Sequence, residues 1–343
     1  MLGTTLLVTS SVLLSVIFIN SFKVLAPRVG LIDKPCARKA HNGDIPIIGG
    51  LSVFMAVALS ITLFMPQDNS VVLFLIASAL MVFIGILDDK YDLSVRIRLV
   101  GQFLVSAILV FGVGDYIYTF GDLFGQGHVE LGLIGIPITF LAIVAAINAF
   151  NMVDGIDGLL GVCAMVSISG LGFFFFETGQ DLYLYICVAL IGALLPFLLA
   201  NFGVFPFSKK VFMGDAGSMF IGLAVVWLIV MAIKAPSNST EPLAPVMALY
   251  LIALPFMDMV AVVVRRVKGK KSPVKPGRDH AHHILLRAGF SSKQTLLILT
   301  VIYAATLFSG FLLEQILSES QLFLLYLLLF GVYFTIFERL EKL

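Results

Sequence analysis

Charged residues are scarce in this sequence, at 13% of 343 residues, whereas an ordinary soluble domain has roughly 25%. Hydrophobic residues make up 59% of the chain, which excludes a soluble globular protein. Cysteine is also scarce: Cys36, Cys163 and Cys187 are too few and too scattered for a disulfide framework or a zinc site, and they indicate no redox compartment. The net charge of +1 gives no indication of nucleic-acid binding.

Long apolar runs fill most of the chain. A membrane-spanning helix needs about 20 mostly apolar residues, and eleven runs approach this length, at about 4–22, 45–65, 70–87, 97–113, 133–150, 158–176, 182–203, 218–234, 243–264, 294–313 and 320–337. The first run lacks a preceding basic segment and is followed by Lys23 and Arg28, so we expect a retained span rather than a signal peptide. The sequence predicts an all-α polytopic membrane protein of about 11 transmembrane helices, with residues 1–343 forming a single domain.

The basic residues fall almost entirely on one side of the predicted membrane domain. An odd number of spans separates the termini, and all of the 22 lysines and arginines except Lys234 then lie on one side or at its membrane edge. The positive-inside rule makes this side cytoplasmic and the N-terminus periplasmic. The other side carries nine acidic residues: Asp68, Asp115, Asp122, Glu130, Glu177, Asp181, Glu241, Glu314 and Glu319. The informative cytoplasmic loops are predicted at about 23–46, 88–98, 148–158, 204–218 and 265–293.

Six cytoplasmic aspartates lie where predicted spans end or begin: Asp88, Asp89, Asp92, Asp154, Asp157 and Asp215. Carboxylates at a membrane edge are costly to desolvate unless a cation accompanies them. If the chain stays helical after the third span, Asp88 and Asp92 share a helix face. Such a concentration of hard oxygen ligands suits Mg²⁺ or Mn²⁺ better than zinc. The alternative is that these acids are solvated, or paired with Arg96 and Arg98.

Two glycine-containing segments accompany the aspartates. In residues 148–158, Asn148 and Asn151 are followed by Asp154 and Asp157, and each of these acids precedes a glycine that allows close backbone approach to a ligand. The two asparagines could instead form interhelical hydrogen bonds. In residues 214–218 an acid between glycines begins a span, where free backbone N–H groups favour an anion. Together these segments indicate a metal–phosphate site facing the cytoplasm.

The last long cytoplasmic loop combines basic residues with histidines. Lys268, Lys270 and Lys271 are typical of a patch that binds the anionic membrane surface. His280, His282 and His283 lack a further histidine or cysteine to complete a transition-metal site, so phosphate binding beside Arg265 or Arg278 is the better interpretation. His41 is predicted at the surface of the first loop and His128 on the outer face.

These segments together resemble the polyprenyl-phosphate N-acetylhexosamine 1-phosphate transferases of glycosyltransferase family 4. The resemblance extends from residue 30 to residue 290 and rests on residues 30–35, 38–41, 45–50, 88–92, 148–159, 212–218, 280–283 and 287–290. Within the family, the first loop and the histidine segment are most similar to bacterial members that use UDP-N-acetylglucosamine. Ala281 departs from their pattern, which carries a larger apolar residue there.

The resemblance implies a reaction in the bacterial inner membrane, with the active site facing the cytoplasm. An undecaprenyl phosphate oxygen would attack the β-phosphorus of UDP-N-acetylglucosamine with Mg²⁺ or Mn²⁺ as cofactor, and UMP would leave, as the first membrane step of O-antigen or a related cell-surface polysaccharide. No nucleic-acid partner is implied, and a homodimer stays open.

The roles that the resemblance implies follow the motifs. Asp215 and Asn151 would bind the metal, Asp88 would act as base or orient the lipid phosphate, and Asp89 would support the site. Asp154 and Asp157 would contact the nucleotide, and Phe212 would stack on uracil. The remaining candidates bind lipid phosphate, nucleotide or sugar, and are Lys34, Arg96, Arg98, Asn148, Arg265, His280, His282 and His283.

Two alternatives remain open at this point. One is the same chemistry with another UDP-N-acetylhexosamine. The other is a secondary transporter, a class that places ionisable residues near the bilayer midplane. Only Asp258 is predicted inside a span, seven residues before Arg265, with which we expect it to pair.

Cysteine labelling tests the predicted orientation. In a variant without the native cysteines, Gly125→Cys should react with a membrane-impermeant maleimide in intact cells, because its loop is predicted outside. Lys270→Cys should react only after lysis, because all site loops must share one compartment. Labelling of Lys270→Cys in intact cells would contradict the orientation and the single-site hypothesis.

Overall fold

The computed structural model describes residues 2–34, 43–207, 209–234, 242–272 and 277–342. Within these residues the chain is helical apart from its connections and one short ladder, which confirms the all-α class. The helices are α1 (Leu2–Val29), α2 (Gly49–Phe64), α3 (Asn69–Tyr91), α4 (Val95–Ala107), α5 (Gly135–Val153), α6 (Leu159–Glu177), α7 (Asp181–Phe202), α8 (Gly214–Ile233), α9 (Met247–Leu251), α10 (Ala253–Lys268), α11 (Ala281–Arg287), α12 (Ser292–Glu314) and α13 (Glu319–Glu341). Cys36, residues 38–41 with His41, and Glu241 lie outside the described residues.

Nine helical segments of the described chain are long and apolar enough to cross a bilayer, so the protein is a multi-pass membrane protein. Two other predicted spans have a different form. The run 45–65 yields the 16-residue helix α2, because Ile45 and Pro46 belong to a strand instead. The run 243–264 forms α9 and α10, which are separated at Ile252. The total of eleven spans and their orientation stay predictions.

The interruption between α9 and α10 follows from Pro255. Proline has no backbone N–H, so the Leu251 carbonyl four residues earlier loses its helical donor. The buried Tyr303 hydroxyl donates to this carbonyl instead. Backbone groups at membrane depth need such partners because lipid offers none. The break is therefore satisfied inside the protein.

Helix α8 is the centre of the bundle. Every residue after Asp215 in this helix is buried, and α8 packs against α2, α3, α5 and α6. A Cβ atom at Gly50 of α2 would lie 2.2 Å from the Cα of Gly217, and one at Gly85 of α3 would lie 2.3 Å from the Cα of Ala216. Only small residues allow helices to approach this closely. Backbone contact therefore fixes the start of α8 against α2 and α3.

A short ladder attaches the first loop to the segment before α8. Strand β1 (Ile32–Asp33) pairs antiparallel with β2 (Ile45–Pro46). The backbone N–H of Phe212 then donates to the Pro46 carbonyl over 2.9 Å, and the N–H of Gly49 donates to the Phe212 carbonyl over 2.8 Å. Two loops distant in sequence thus meet where α8 begins.

Replacing Gly85 with alanine tests this close packing. The added methyl group has no space beside Ala216, so Gly85→Ala should lower stability by about 1–3 kcal/mol, the usual effect of overpacking. The measurement is thermal unfolding of detergent-solubilised protein. Gly331→Ala in α13 is the matched control, because a Cβ there meets nothing within 4 Å. Equal unfolding temperatures for both variants would contradict the proposed helix contact.

Candidate active site

Asp88 is a buried carboxylate near the end of α3. It accepts the backbone N–H of Leu93 over 2.8 Å and a guanidinium N–H of Arg98, in the first turn of α4, over 3.1 Å. The ion pairing that the sequence left open is therefore present for this residue. Arg96 is exposed and forms no ion pair with any residue that the structure describes.

Asp92 does not share a helix face with Asp88. Helix α3 ends at Tyr91, and Asp92 takes the left-handed conformation with φ of 51°. Asp88 and Asp92 would share a helix face only if the segment stayed helical, and it does not. Asp92 is exposed to solvent, whereas Asp88 is buried.

Asp89 holds the first turn of α8. Its two carboxylate oxygens accept the backbone N–H groups of Asp215 over 2.8 Å and of Ala216 over 3.2 Å. A carboxylate at a helix N-terminus satisfies free N–H groups and interacts favourably with the helix dipole. Gly214 makes this contact possible, because its φ is +74° and a Cβ there would lie 2.6 Å from Oδ2 of Asp89.

Asp215 lies where the other carboxylates converge. The side-chain amide of Asn151, near the end of α5, donates to Oδ1 of Asp215 over 2.6 Å and to the Ser218 hydroxyl over 2.8 Å. The carboxylates of Asp88, Asp89 and Asp154 are close enough for their negative charges to act on Asp215. The two residues assigned to the metal are thus in direct contact.

These four carboxylates are crowded together with little positive charge among the described residues. Arg98 is the one cationic side chain that the described part of the chain pairs with any of them. Uncompensated charge at a membrane edge favours binding of a cation. No three histidine, cysteine or acidic side chains among the described residues form a ready metal site. The donors fit Mg²⁺ or Mn²⁺ as bound in many phosphoryl-transfer sites, through one or two carboxylates with substrate phosphates and water.

The loop after α5 presents two further acids. Asp154 is exposed to solvent. Desolvation by the surrounding protein raises the pKa of Asp154 to about 7, with Asp215 and Asp157 acting in the same direction. Asp157 forms a partly exposed ion pair with Lys210. The loop is anchored because the Gly158 N–H donates to the Asn201 side chain over 2.6 Å.

The histidine segment reaches this loop through His282. A Cβ atom at Gly155 would lie 2.0 Å from Nε2 of His282, so the imidazole ring rests directly on the Gly155 backbone. His282 is buried, and neither ring nitrogen has a hydrogen-bond partner among the described residues. Burial lowers the pKa of His282 to about 3, with His283 acting in the same direction. His282 is therefore neutral near pH 7. His283, whose ring centroid is 4.2 Å away, also has its pKa lowered by burial.

The predicted pair of Asp258 with Arg265 is wrong. Asp258 instead binds Nδ1 of His280 over 2.7 Å. Arg265 donates to the Asp279 carbonyl and lies 3.6 Å from Glu341 of α13. Arg265 is turned toward α13 because an acidic partner is available there.

The other predicted binding residues differ in where they lie and in what they contact. Asn148 donates to Gln102 of α4 over 2.8 Å and to the Val144 carbonyl, which is the interhelical role that the sequence left open. Phe212 is half-buried beside β2, and Lys34 is exposed directly after β1. Contacts or close charges thus join six of the predicted residues: Asp88, Asp89, Asp154, Asp215, Asn151 and His282. Asn148 and Arg265 instead contact Gln102, Val144, Asp279 and Glu341.

Sequence reasoning missed three residues that position the site. Lys210 pairs with Asp157, Asn201 holds the loop after α5, and Gln102 binds Asn148. Lys210 was recognisable from the sequence, since it is a basic residue close before Asp215 in the same loop. Asn201 and Gln102 lie inside apolar runs, where their partners cannot be read from sequence spacing.

Comparisons with known proteins show which family and relatives this chain is similar to. The model of glycosyl transferase family 4 matches residues 71–233. The undecaprenyl-phosphate alpha-N-acetylglucosaminyl 1-phosphate transferase of Yersinia pestis is 40% identical over 323 residues, covering 94% of this chain and 88% of the relative. The protein of the same name from Escherichia coli K12 is 39% identical over 335 residues, covering 96% and 90%. That from Haemophilus influenzae is 40% identical over 313 residues, covering 90% and 87%.

The contact between Gly155 and His282 gives a suppressor test. Gly155→Ala should lower the thermal stability, by about 1–3 kcal/mol, because its methyl group overlaps the buried imidazole. In a His282→Ala background the ring is absent, so the same change at Gly155 should have almost no further effect. Additive losses in the double variant would show that the two residues do not touch.

Proposed function

The chain belongs to glycosyl transferase family 4, and from this membership we propose that it transfers N-acetylglucosamine 1-phosphate from UDP-N-acetylglucosamine to undecaprenyl phosphate, releasing UMP. The relatives named above carry this acceptor and sugar in their names. The observation that supports the proposal most is the convergence of Asp88, Asp89 and Asp154 on Asp215. Phosphoryl transfer depends mainly on positioning and on neutralising charge, which such a site can provide.

The proposed reaction is a displacement at phosphorus. An oxygen of undecaprenyl phosphate attacks the β-phosphorus of the UDP-sugar, the bond from this phosphorus to the bridging oxygen breaks, and UMP leaves with the electron pair. One substrate is held in lipid and the other is dissolved in water, so they can meet only at a membrane surface. The aspartates suit this requirement because they lie where apolar helices end or begin.

Asp215 is the proposed ligand of the metal. A bound Mg²⁺ or Mn²⁺ supplies positive charge to the pyrophosphate oxygens. Asn151 was assigned as a second ligand, but its amide nitrogen faces Asp215 over 2.6 Å. We therefore propose that Asn151 orients the Asp215 carboxylate, while Asp89 fixes the backbone of the same residue.

Arg98 is the proposed contact for the lipid phosphate. Its guanidinium is partly exposed while one N–H group binds Asp88, so other N–H groups can bind a phosphate beside that carboxylate. Asp88 would orient the attacking oxygen or accept its proton. Arg96, exposed in the same turn of α4, would add positive charge at the membrane edge.

The loop after α5 and the histidine segment are the proposed nucleotide-sugar side. Asp154 is accessible to solvent. Lys210 forms a partly exposed ion pair with Asp157, and we propose that it binds a substrate phosphate in place of this carboxylate. His282 and His283, which are predominantly neutral, can each donate and accept a hydrogen bond. Phe212 and Lys34 remain candidates for the uracil and phosphate contacts.

The setting of this reaction is part of the proposal. We propose the bacterial inner membrane, a cytoplasmic active site and a product used for O-antigen or related cell-surface polysaccharides, with a homodimer still open. Another UDP-N-acetylhexosamine remains the nearest alternative. A transporter is less well supported, because Asp258 is the residue predicted within a span and its carboxylate is engaged by protein donors.

Release of UMP from UDP-N-acetylglucosamine by purified protein tests the proposal. Turnover should require undecaprenyl phosphate, stop with EDTA and return with Mg²⁺ or Mn²⁺. Asp215→Asn should lower kcat/KM at least about a hundredfold, since a metal supplies several kcal/mol of charge stabilisation. UDP-N-acetylgalactosamine should react more slowly.

Asp181→Asn is the matched control, because Asp181 is an exposed aspartate at the start of α7 on the predicted outer side. It should keep wild-type turnover. Turnover that survives EDTA, or equal losses in the two folded variants, would contradict the metal assignment. Faster turnover with another UDP-sugar would replace the proposed donor.

A further inference from the structure

Asp258 is a buried carboxylate that the proposed reaction does not yet use. Its side chain is 2% exposed and lies in α10. It accepts three hydrogen bonds, from Nδ1 of His280 over 2.7 Å, from the backbone N–H of Ala281 over 2.9 Å and from the Tyr333 hydroxyl over 3.1 Å. Two of these donors belong to the start of α11, and the third belongs to α13. Asp258 thus connects three helices.

The hydrogen bond from His280 determines which ring nitrogen carries a proton. An ionised carboxylate can only accept, so Nδ1 of His280 must donate. Nε2, on the opposite edge of the ring, is then the nitrogen left for another partner. A carboxylate that binds one imidazole nitrogen commonly fixes the orientation and chemistry of the other in this way.

The ring of His280 is also linked to the candidate site through the ring of His282. It lies nearly parallel to the ring of His282, with centroids 5.8 Å apart and an angle of 8° between the planes. His282 in turn rests on Gly155, next to Asp154. A change in the orientation of His280 would therefore reach the loop that we assign to the nucleotide-sugar.

We propose that Asp258 is a positioning residue for the transfer reaction: it holds the proton of His280 on Nδ1 and presents Nε2 to the sugar-phosphate substrate. This inference rests on the proposed function for its substrate, but its structural core is the protonation of His280. The competing interpretation is that Asp258 only caps α11 and anchors α13. The two interpretations differ in whether the effect of Asp258 passes through His280.

Asp258→Asn separates them because it preserves shape. An asparagine oxygen can still accept from Ala281 and Tyr333, but its amide nitrogen would face Nδ1 of His280. The amide nitrogen of the asparagine can only donate. The imidazole of His280 must therefore accept at Nδ1 and carry its proton on Nε2. We expect kcat for UMP release to fall at least tenfold, with a smaller change in KM for UDP-N-acetylglucosamine and little change in unfolding temperature.

A double-variant comparison shows whether His280 transmits this effect. In a His280→Ala background, Asp258→Asn should cause no more than about a twofold further loss of kcat. Equal fold losses in both backgrounds would assign Asp258 to a structural role. No loss in either background would also overturn the proposal.

Nitrogen-15 NMR of histidine-labelled protein gives a readout that does not depend on activity. The resonances of His280, assigned with the His280→Ala variant, should show a protonated Nδ1 in the wild type and an unprotonated Nδ1 in Asp258→Asn. The same protonation pattern in both proteins would refute the positioning role. Absence of UMP release from the wild type would instead refute the proposed function, leaving the NMR result to decide the role of Asp258.

Two tyrosines of α13 provide a further matched pair. Tyr333→Phe removes one donor to Asp258 and should cause a smaller loss of kcat than Asp258→Asn. Tyr326→Phe should have no effect, because the buried Tyr326 hydroxyl has no hydrogen-bond partner among the described residues. Equal losses in the two variants would indicate a general packing effect of α13 and would contradict a specific contact with Asp258.

Discussion

The contact between the Asp89 carboxylate and the first N–H groups of α8 is the interaction on which the candidate site depends. It joins the end of α3 to the start of the most buried helix. Gly50 and Gly85 allow the backbones to meet at the same level, so α8 cannot slide along its neighbours without overlap. Asp215, the second residue of α8, therefore has a fixed backbone position. Its carboxylate can face the other acids without local flexibility of the loop.

A second aspartate, the buried Asp258, repeats this arrangement. Asp258 accepts the backbone N–H of Ala281 at the start of α11, as Asp89 accepts those at the start of α8. In both cases a carboxylate from one helix binds the N-terminus of another, where free N–H groups favour negative charge. The helix that is held carries a candidate site residue in its first turn. Asp89 and Asp258 thus position side chains, whereas Asp154 is exposed to water.

The sequence was sufficient for the fold class and for most of the segments that meet around Asp215. Apolar runs predict helices reliably because lipid forces the backbone to bond internally. Acids at the ends of those runs indicated the cluster around Asp215. The partner of Asp258 was not predictable, since a distance of 22 residues along the chain contains no information about which side chain turns toward it. Pro255 indicates the helix break at Ile252. The Tyr303 hydroxyl that donates to the free Leu251 carbonyl belongs to another helix, so this hydrogen bond was not predictable.

Binding of Mn²⁺, followed by electron paramagnetic resonance in the presence of UDP-N-acetylglucosamine, tests most directly whether Asp215 is the metal ligand held in place by Asp89. The wild-type protein should bind the ion with a spectrum that changes when the nucleotide-sugar is added. Asp215→Asn should weaken Mn²⁺ binding at least tenfold, and Asp89→Asn should weaken it as well, whereas Asp258→Asn should leave it nearly unchanged. Wild-type Mn²⁺ affinity in folded Asp215→Asn protein would contradict the account.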